Sequence, residues 1–380
     1  MDMLYTISTQ LYAMSGFAEF TWHNFVMYLV GGTLIFLAIT KKFEPLLLIP
    51  IGFGAFLANF PQSGLGAREV GGIMNMIYEG GLKSGIMPPI IFMGIGAMTD
   101  FRPLLARPIT FLLAAAAQLG IFLAALGAYY ILGFTSQESA AIGIIGSSDG
   151  PTTLYLTTML APHLLGPVAV AAYSYMAMVP IIQPPILKLC TTQKEREIDM
   201  PQEKEVSKVA VILFPIVTGI LTALIVPEAS PLIAMLMFGN LLRESGVTDR
   251  LSKTTQTTLI DVMTTFLALC VGSTMAGQFF LRPETLGILF MGLFAFATST
   301  AAGILFARFM NLFLPEGKKL NPCIGAAAVS ANPMSARTVQ TFVSKHTRGR
   351  VNPLMAAMGP NIAGVVASAF VAGVFIALFK

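Results

Sequence analysis

Two short polar stretches, Ser147-Ser148-Asp149-Gly150-Pro151 and Ser330-Ala331-Asn332-Pro333, interrupt segments that are otherwise apolar. Gly and Pro open a helix and free its backbone groups, and Asp149 adds a carboxylate. At membrane depth both are costly and occur only against a cavity or an ion path. The surroundings of the two stretches are related. Ile142-Gly143 precedes the first at the spacing at which Ile324-Gly325 precedes the second, an offset of 182 residues. Paired broken segments in two related halves mark a midplane ion or substrate site.

The rest of the chain suits a bilayer. It is 55% hydrophobic and 11% charged, with mean hydropathy +0.75; a soluble domain carries about 25% charged residues. Apolar runs at 25–40, 86–98, 109–132, 168–187, 209–226, 258–276, 285–313 and 354–379 read as membrane helices. Most reach the roughly 17–25 residues a span needs once flanks are counted. The net charge of +4 sits in loops. The N-terminal residues lack a basic n-region, so no cleavable signal peptide is expected.

The one clearly hydrophilic stretch, Gln193 to Lys208, divides the chain into repeats at 1–192 and 209–380 around a linker at 193–208. The halves echo each other. Pro45-Leu46 and Phe53-Gly54 match Pro231-Leu232 and Phe238-Gly239. Gly166-Pro167 and Tyr175 match Asn352-Pro353 and Asn361 at an offset of 186. An internal duplication follows.

Basic residues at Lys41-Lys42, Arg102/Arg107, Lys188 to Lys208, Arg243/Arg250/Lys253, Lys318-Lys319 and Lys345/Arg348/Arg350 mark cytoplasmic loops. All six share one side only if segments 139–161 and 321–343 do not cross fully. Read as re-entrant, they leave five full spans per half, which inverts the second half relative to the first. The breaks then enter from opposite faces and meet near the midplane, and both termini fall outside. Two obliquely crossing, unwound helices would also bring the breaks together. The expected fold is an all-α polytopic membrane protein of two inverted-topology repeats.

Asp149 carries the strongest chemical signal. Ser147, Ser148, Thr152 and Thr153 flank it, and opened backbone and hydroxyls supply further hard oxygens. Hard cations take oxygen ligands, so this set suits Na+ or H+ rather than a soft metal. The bland reading is a capping Asp in an interfacial loop. Arg337 follows Pro333 by four residues. Within the membrane it needs an anionic partner or substrate, whereas near the cytoplasmic face it would snorkel. Asn321, Ser330, Asn332 and Asn361 are neutral oxygen donors, though any one alone is more often a packed polar residue. Tyr175, in AAYSYMAMVP, could donate a proton or anchor at an interface, and Tyr173 is a neighbouring decoy. Gln118 lies in or near a span, and Asp261 at a span boundary.

Cys190, Cys270 and Cys323 are isolated, and His23, His163 and His346 are scattered, so neither a zinc site nor a disulfide is expected. There is no Walker motif, no GxGxxG after a strand and no Ser/His arrangement. The chain does not hydrolyse ATP, and nothing in it points to nucleic acid. Energy for any pumping comes from a gradient or from chemistry delivered by a partner.

The runs KKFEPLLLIPIGFGAFLANFP, PPIIFMGIGAMTDFRPLLARP, AAIGIIGSSDGPTTLYL, NPCIGAAAVSANPMSARTVQ and AMGPNIAGVVASA resemble the β subunit of sodium-pumping, biotin-dependent decarboxylases. The group comprises oxaloacetate, methylmalonyl-CoA and glutaconyl-CoA enzymes. The short loop from Pro61 to Ser84 leans toward an acyl-CoA enzyme or a short oxaloacetate form. The resemblance implies a membrane subunit that decarboxylates carboxybiotin delivered by a carboxyltransferase α subunit and biotin carrier. A proton is consumed and Na+ moves outward. It places functional positions at Asp149, Tyr175, Asn321, Gly325, Ser330, Arg337 and Asn361. Asp149, Tyr175 and Arg337 are the expected catalytic residues. Arg337, Asn321 and Gly325 would hold the cofactor, and Asp149, Ser148, Ser330, Asn332 and Asn361 would hold Na+. No biotinyl-lysine context is present, so biotin sits on another chain. The resemblance further implies a trimer with a small single-span partner in the bacterial inner membrane. Two other classes fit the bare residues: a Na+-coupled secondary transporter, and a membrane anchor, which would need neither Asp149 nor Arg337.

Overall fold

The computed structural model describes residues 7, 10–42, 44–67, 69–200 and 205–380. Helix is the regular structure throughout them, and they contain no strand. Seven helices are long and apolar enough to cross a membrane: Trp22–Lys41, Thr110–Tyr130, Pro162–Cys190, Lys208–Ile225, Asp249–Ser273, Pro283–Met310 and Leu354–Phe379. The pair Ile73–Lys83 and Met87–Met98, bent by 63°, makes an eighth if taken as one span. Pro45–Ala58 and Ser230–Glu244 are shorter. Counting both as crossings gives five per half. The protein is a multi-pass, all-α membrane protein.

The chain folds as two compact units. One holds residues 1–87, 165–167 and 261–286. Within it, Gly54 and Gly272 let two helices touch backbone to backbone. A methyl on Gly54 would overlap the Leu269 carbonyl, and one on Gly272 the Ile51 carbonyl. Asn59 clamps the crossing, donating to Ala55 O and Met275 O at 2.8 Å and accepting from Gly277 N.

The second unit holds residues 88–164, 168–260 and 287–380. It contains a counterpart of that crossing. A methyl on Gly96 would overlap the Leu236 carbonyl, and one on Gly239 the Met93 carbonyl. Asn240 donates to Thr99 O at 2.9 Å. In both crossings each glycine meets the residue three before its partner glycine, and an asparagine binds the carbonyl three after one of them.

The helix Leu354–Phe379 is the spine of this unit, buried along most of its length among small residues. At about 1.5 Å per residue its 26 residues span about 39 Å. At its beginning Arg350 pairs with Glu197 (3.6 Å), and at its end Phe379 O accepts from Gln137 (3.3 Å). These contacts label two opposite faces and orient both hairpins. The first hairpin begins at Ser136, beside Phe379, and ends at His163, which touches Glu138 at 2.7 Å. The second begins at Asn321, which donates to Arg196 O and Ile198 O. It ends at His346, whose carbonyl accepts from Gln193. Each hairpin returns to the face it came from, and the two come from opposite faces. Each segment therefore folds back on itself as a hairpin.

The hairpins share one packing detail. Gly143 lies against the Ile121 carbonyl and Gly325 against the Gly303 carbonyl. Both members of the pair shift by the same 182 residues. The hydrophilic stretch after Cys190 begins as a capped turn, Gln193–Arg196. Buried Arg196 donates to Lys188 O and Thr191 O, the free carbonyls at the end of the preceding helix. Residues 201–204 of the expected linker lie outside the described residues.

Candidate functional site

The first hairpin opens where its sequence demands. Thr135 and Glu138 form a capping box that starts the helix Ser136–Gly143. The chain then tightens into the 3-10 turn Ile144–Ser147 and stops at Ser148, in the left-handed region at φ 53°. Asp149 caps the next helix, Gly150–Leu160, accepting from Thr152 N at 3.4 Å, with Pro151 in the first turn where no N–H is needed. Asp149 is thus a capping Asp, yet it is buried, and its other oxygen accepts from Thr152 Oγ1 (2.6 Å) and Ser368 Oγ (3.0 Å).

The second hairpin descends as the 3-10 helix Pro322–Ala328, capped by Asn321, passes through extended Val329, and returns as the helix Met334–His346. The breaks touch: Ser330 N donates to Ser147 O at 2.9 Å. Three positions on one face of the spine helix hold them together. Asn361 Nδ2 donates to Ala327 O and Val329 O at 2.9 and 3.0 Å. Gly364 lies on the Ala328 carbonyl, where a methyl would overlap it and sit 3.3 Å from Ser330 Oγ. Ser368 reaches Asp149.

The polar bookkeeping at this junction is incomplete. Ser148 Oγ, Ser330 Oγ and Asn361 Oδ1 are buried and have no hydrogen-bond partner among the described residues. A buried polar atom left so costs about 1–3 kcal/mol. Oxygens of this kind, at the junction that also holds the Asp149 carboxylate, are the ligand type a hard cation takes. No group of three or more His, Cys, Asp or Glu side chains converges among the described residues, so nothing there resembles a transition-metal site.

Other expected site residues lie elsewhere. Asn332 is half-buried just beyond the contact. Arg337 is exposed on the returning helix and has no ion pair among the described residues. Asn321 holds the start of the hydrophilic stretch, and Gly325 serves helix contact. Tyr175 donates its hydroxyl to Leu289 O and packs against Gly292. The supposed decoy Tyr173 is fully buried with its ring against Gly150, next to Asp149. Gln118 is buried and donates to Ala114 O, while Asp261 is exposed, as a boundary residue should be. Cys190, Cys270 and Cys323 are all unpaired.

Ser368 and Gln183 were not anticipated. Ser368 follows Asn361 by seven residues, two helical turns, and that spacing was the available signal. Gln183, in PIIQPPI, is buried and donates to Ala326 O (2.9 Å) and Ser335 Oγ (2.7 Å), fastening both arms of the second hairpin.

Residues 23–379 match the family described as Na+-transporting oxaloacetate decarboxylase beta subunit. The chain is 55% identical over 370 residues to the methylmalonyl-CoA decarboxylase subunit beta of Veillonella parvula, covering 96% of each. It is 51% identical over 378 residues to the glutaconyl-CoA decarboxylase subunit beta of Acidaminococcus fermentans, covering 100% of this chain and 99% of the relative. Identity to the oxaloacetate decarboxylase beta chain of Klebsiella pneumoniae is 48% over 409 aligned positions, covering 92% of this chain and 94% of the relative. The matched segment contains both re-entrant hairpins and the spine helix that joins them, and on this ground the chain belongs to the family of Na+-transporting decarboxylase beta subunits.

Proposed function

We propose that this chain is the inner-membrane subunit in which decarboxylation of carboxybiotin drives Na+ outward, and that Na+ binds where the two hairpins touch. The observation that carries the reading is the set of unpartnered buried oxygens, Ser148 Oγ, Ser330 Oγ and Asn361 Oδ1, at the hairpin junction that also holds the buried Asp149 carboxylate. Asp149 alternates between proton and Na+. Loading Na+ favours the carboxylate and releases a proton, and decarboxylation consumes one. Ion loading and chemistry are thereby linked through one group.

Carboxybiotin supplies the labile carboxylate and arrives on a partner. The exposed, unpaired guanidinium of Arg337 has the planar fork that suits a carboxylate. Tyr173 packs against Gly150 and fixes the backbone that carries Asp149. Tyr175 fastens its helix to Pro283–Met310 through Leu289. Asn321, Gln183 and Gly325 hold the second hairpin in register. The matched glycine contacts and the opposed hairpins support two inverted repeats at 1–192 and 209–380.

The partners in this reading are a carboxyltransferase α subunit, a biotin carrier, a small single-span membrane subunit and two further copies of this chain. The alignment with the Klebsiella chain runs over 409 positions against 378 for the glutaconyl-CoA relative. The shorter form supports an acyl-CoA as the acid decarboxylated. The test is decarboxylation of free carboxybiotin by the purified membrane subunits. Stimulation by Na+ over K+ is expected; equal rates in both ions would remove the coupling.

A further inference from the structure

We infer that a cavity between the helices Pro162–Cys190 and Met334–His346 receives the carboxylated ureido ring on its carrier arm before the ring reaches Arg337; this rests on the decarboxylase reading above. The cavity measures about 440 Å³. Pro184, Pro185 and Phe342 give it an apolar wall, and the Phe342 ring lies 4.2 Å from that of His346. Lys188 and Lys345 give it a cationic rim, and neither has an ion pair among the described residues. Two acids of the neighbouring stretch are committed elsewhere, Glu195 to Arg308 at 2.7 Å and Glu197 to Arg350 at 3.6 Å. Among the described residues no acid lines the cavity itself, so its two lysines face any ligand that enters.

The returning helix of the second hairpin connects this cavity to the break. Arg337, Thr341 and Lys345 recur every four residues and form one stripe. Lys345 and Arg337 are about 12 Å apart along the axis. Thr341 and Lys345 line the cavity, and Arg337 lies one turn nearer Ser330. An anionic ring on a flexible arm would pass from two lysines to one arginine, losing water as it goes. The proline and phenyl surfaces fit the faces of a small bicyclic ring, and the lysines fit its carboxylate. A larger cavity of about 540 Å³, at Lys194, Arg308 and Lys319, differs in carrying an acid, Glu195, on its wall, paired to Arg308.

Thiol labelling in the assembled holoenzyme tests the assignment. Thr341 is exposed, so Thr341→Cys in a Cys190→Ser background places a thiol in the cavity wall, and Thr338→Cys gives a second position. An anionic methanethiosulfonate should react faster than its cationic analogue. Converting Lys188 and Lys345 to Gln should cut that preference about tenfold, the lower end of what charge focusing in a cleft delivers. N-carboxybiotin methyl ester should slow labelling severalfold, and biotin methyl ester should not. Three results would overturn the inference: no charge preference at either position, equal protection by the two esters, or protection by anionic lipid vesicles in place of the carboxylated ester. If labelling ignores the ester while Na+-stimulated decarboxylation persists, only this cavity assignment falls. If Na+ stimulation is absent altogether, the functional reading falls with it.

Discussion

Replacing Ser368 with Ala isolates the part of the site farthest in sequence from Asp149. The Ser368 hydroxyl lies 3.0 Å from Asp149 Oδ2 and 3.0 Å from Val365 O, and it has one proton to give. With Asp149 ionised, the proton faces the carboxylate. With Asp149 protonated, the hydroxyl can turn to Val365 and accept instead. Ser368 therefore favours the charged form selectively. A hydrogen bond to a charged group is worth about 1.5–3 kcal/mol. The protonated form keeps a neutral bond worth about 0.5–1.5 kcal/mol, so the loss should raise the Na+ concentration for half-maximal decarboxylation by about fivefold to tenfold. The maximal rate at saturating Na+ should survive, because Thr152 Oγ1 still holds Asp149 at 2.6 Å. The assay is initial decarboxylation rate against Na+ at fixed ionic strength, repeated at higher pH. Higher pH should restore affinity, since the proton competes with Na+. A variant with wild-type Na+ dependence, or one that higher pH does not rescue, would refute the proposed role of Ser368.

Five further substitutions probe other parts of the account. In Gly150→Ala the new methyl overlaps the Tyr173 ring, so Na+-stimulated turnover should collapse; combining it with Tyr173→Leu should recover part of it, and a double variant no better than the single would remove Tyr173 from the site. Gly143→Ala and Gly325→Ala press on backbone carbonyls at related positions. Each should destabilise the folded protein by about 1–3 kcal/mol, seen as comparable drops in melting temperature in detergent, and an effect at only one would argue against equivalent hairpins. Arg337→Lys keeps the charge but loses the planar fork. It should weaken handling of carboxybiotin while Na+ protection against thermal unfolding stays as in the wild type, and full activity would return Arg337 to a snorkelling surface role.

The breaks were legible because Gly, Pro and Asp have no other reason to lie inside apolar runs. The lysines and arginines suggested that both broken segments return to one face, with oblique crossing as the alternative, and the contacts of Glu138 with His163 and of Gln193 with His346 show that each segment folds back as a hairpin. Positions that depend on helix rotation were not legible. Tyr173 and Tyr175 are two residues apart, so they face different ways, and only packing decides which meets Gly150. Asn321 reads as an oxygen donor, yet its amide is occupied by Arg196 O and Ile198 O, over a hundred residues away in sequence. Ser368 pairs with Asp149 across 219 residues, and a serine among small residues carries no mark of that partner.

The central claim is that Na+ and the proton compete for Asp149 and that this competition couples transport to chemistry. Proteoliposomes containing the holoenzyme test it when Na+ uptake and carboxybiotin decarboxylation are followed in the same sample, with Asp149→Asn beside the wild type. Asn keeps the size and can still accept from Thr152 and Ser368, but it cannot exchange a proton. The account predicts that both signals vanish in the variant while carboxyl transfer from the acid substrate to biotin continues. Na+ uptake that persists in step with decarboxylation in Asp149→Asn would contradict it.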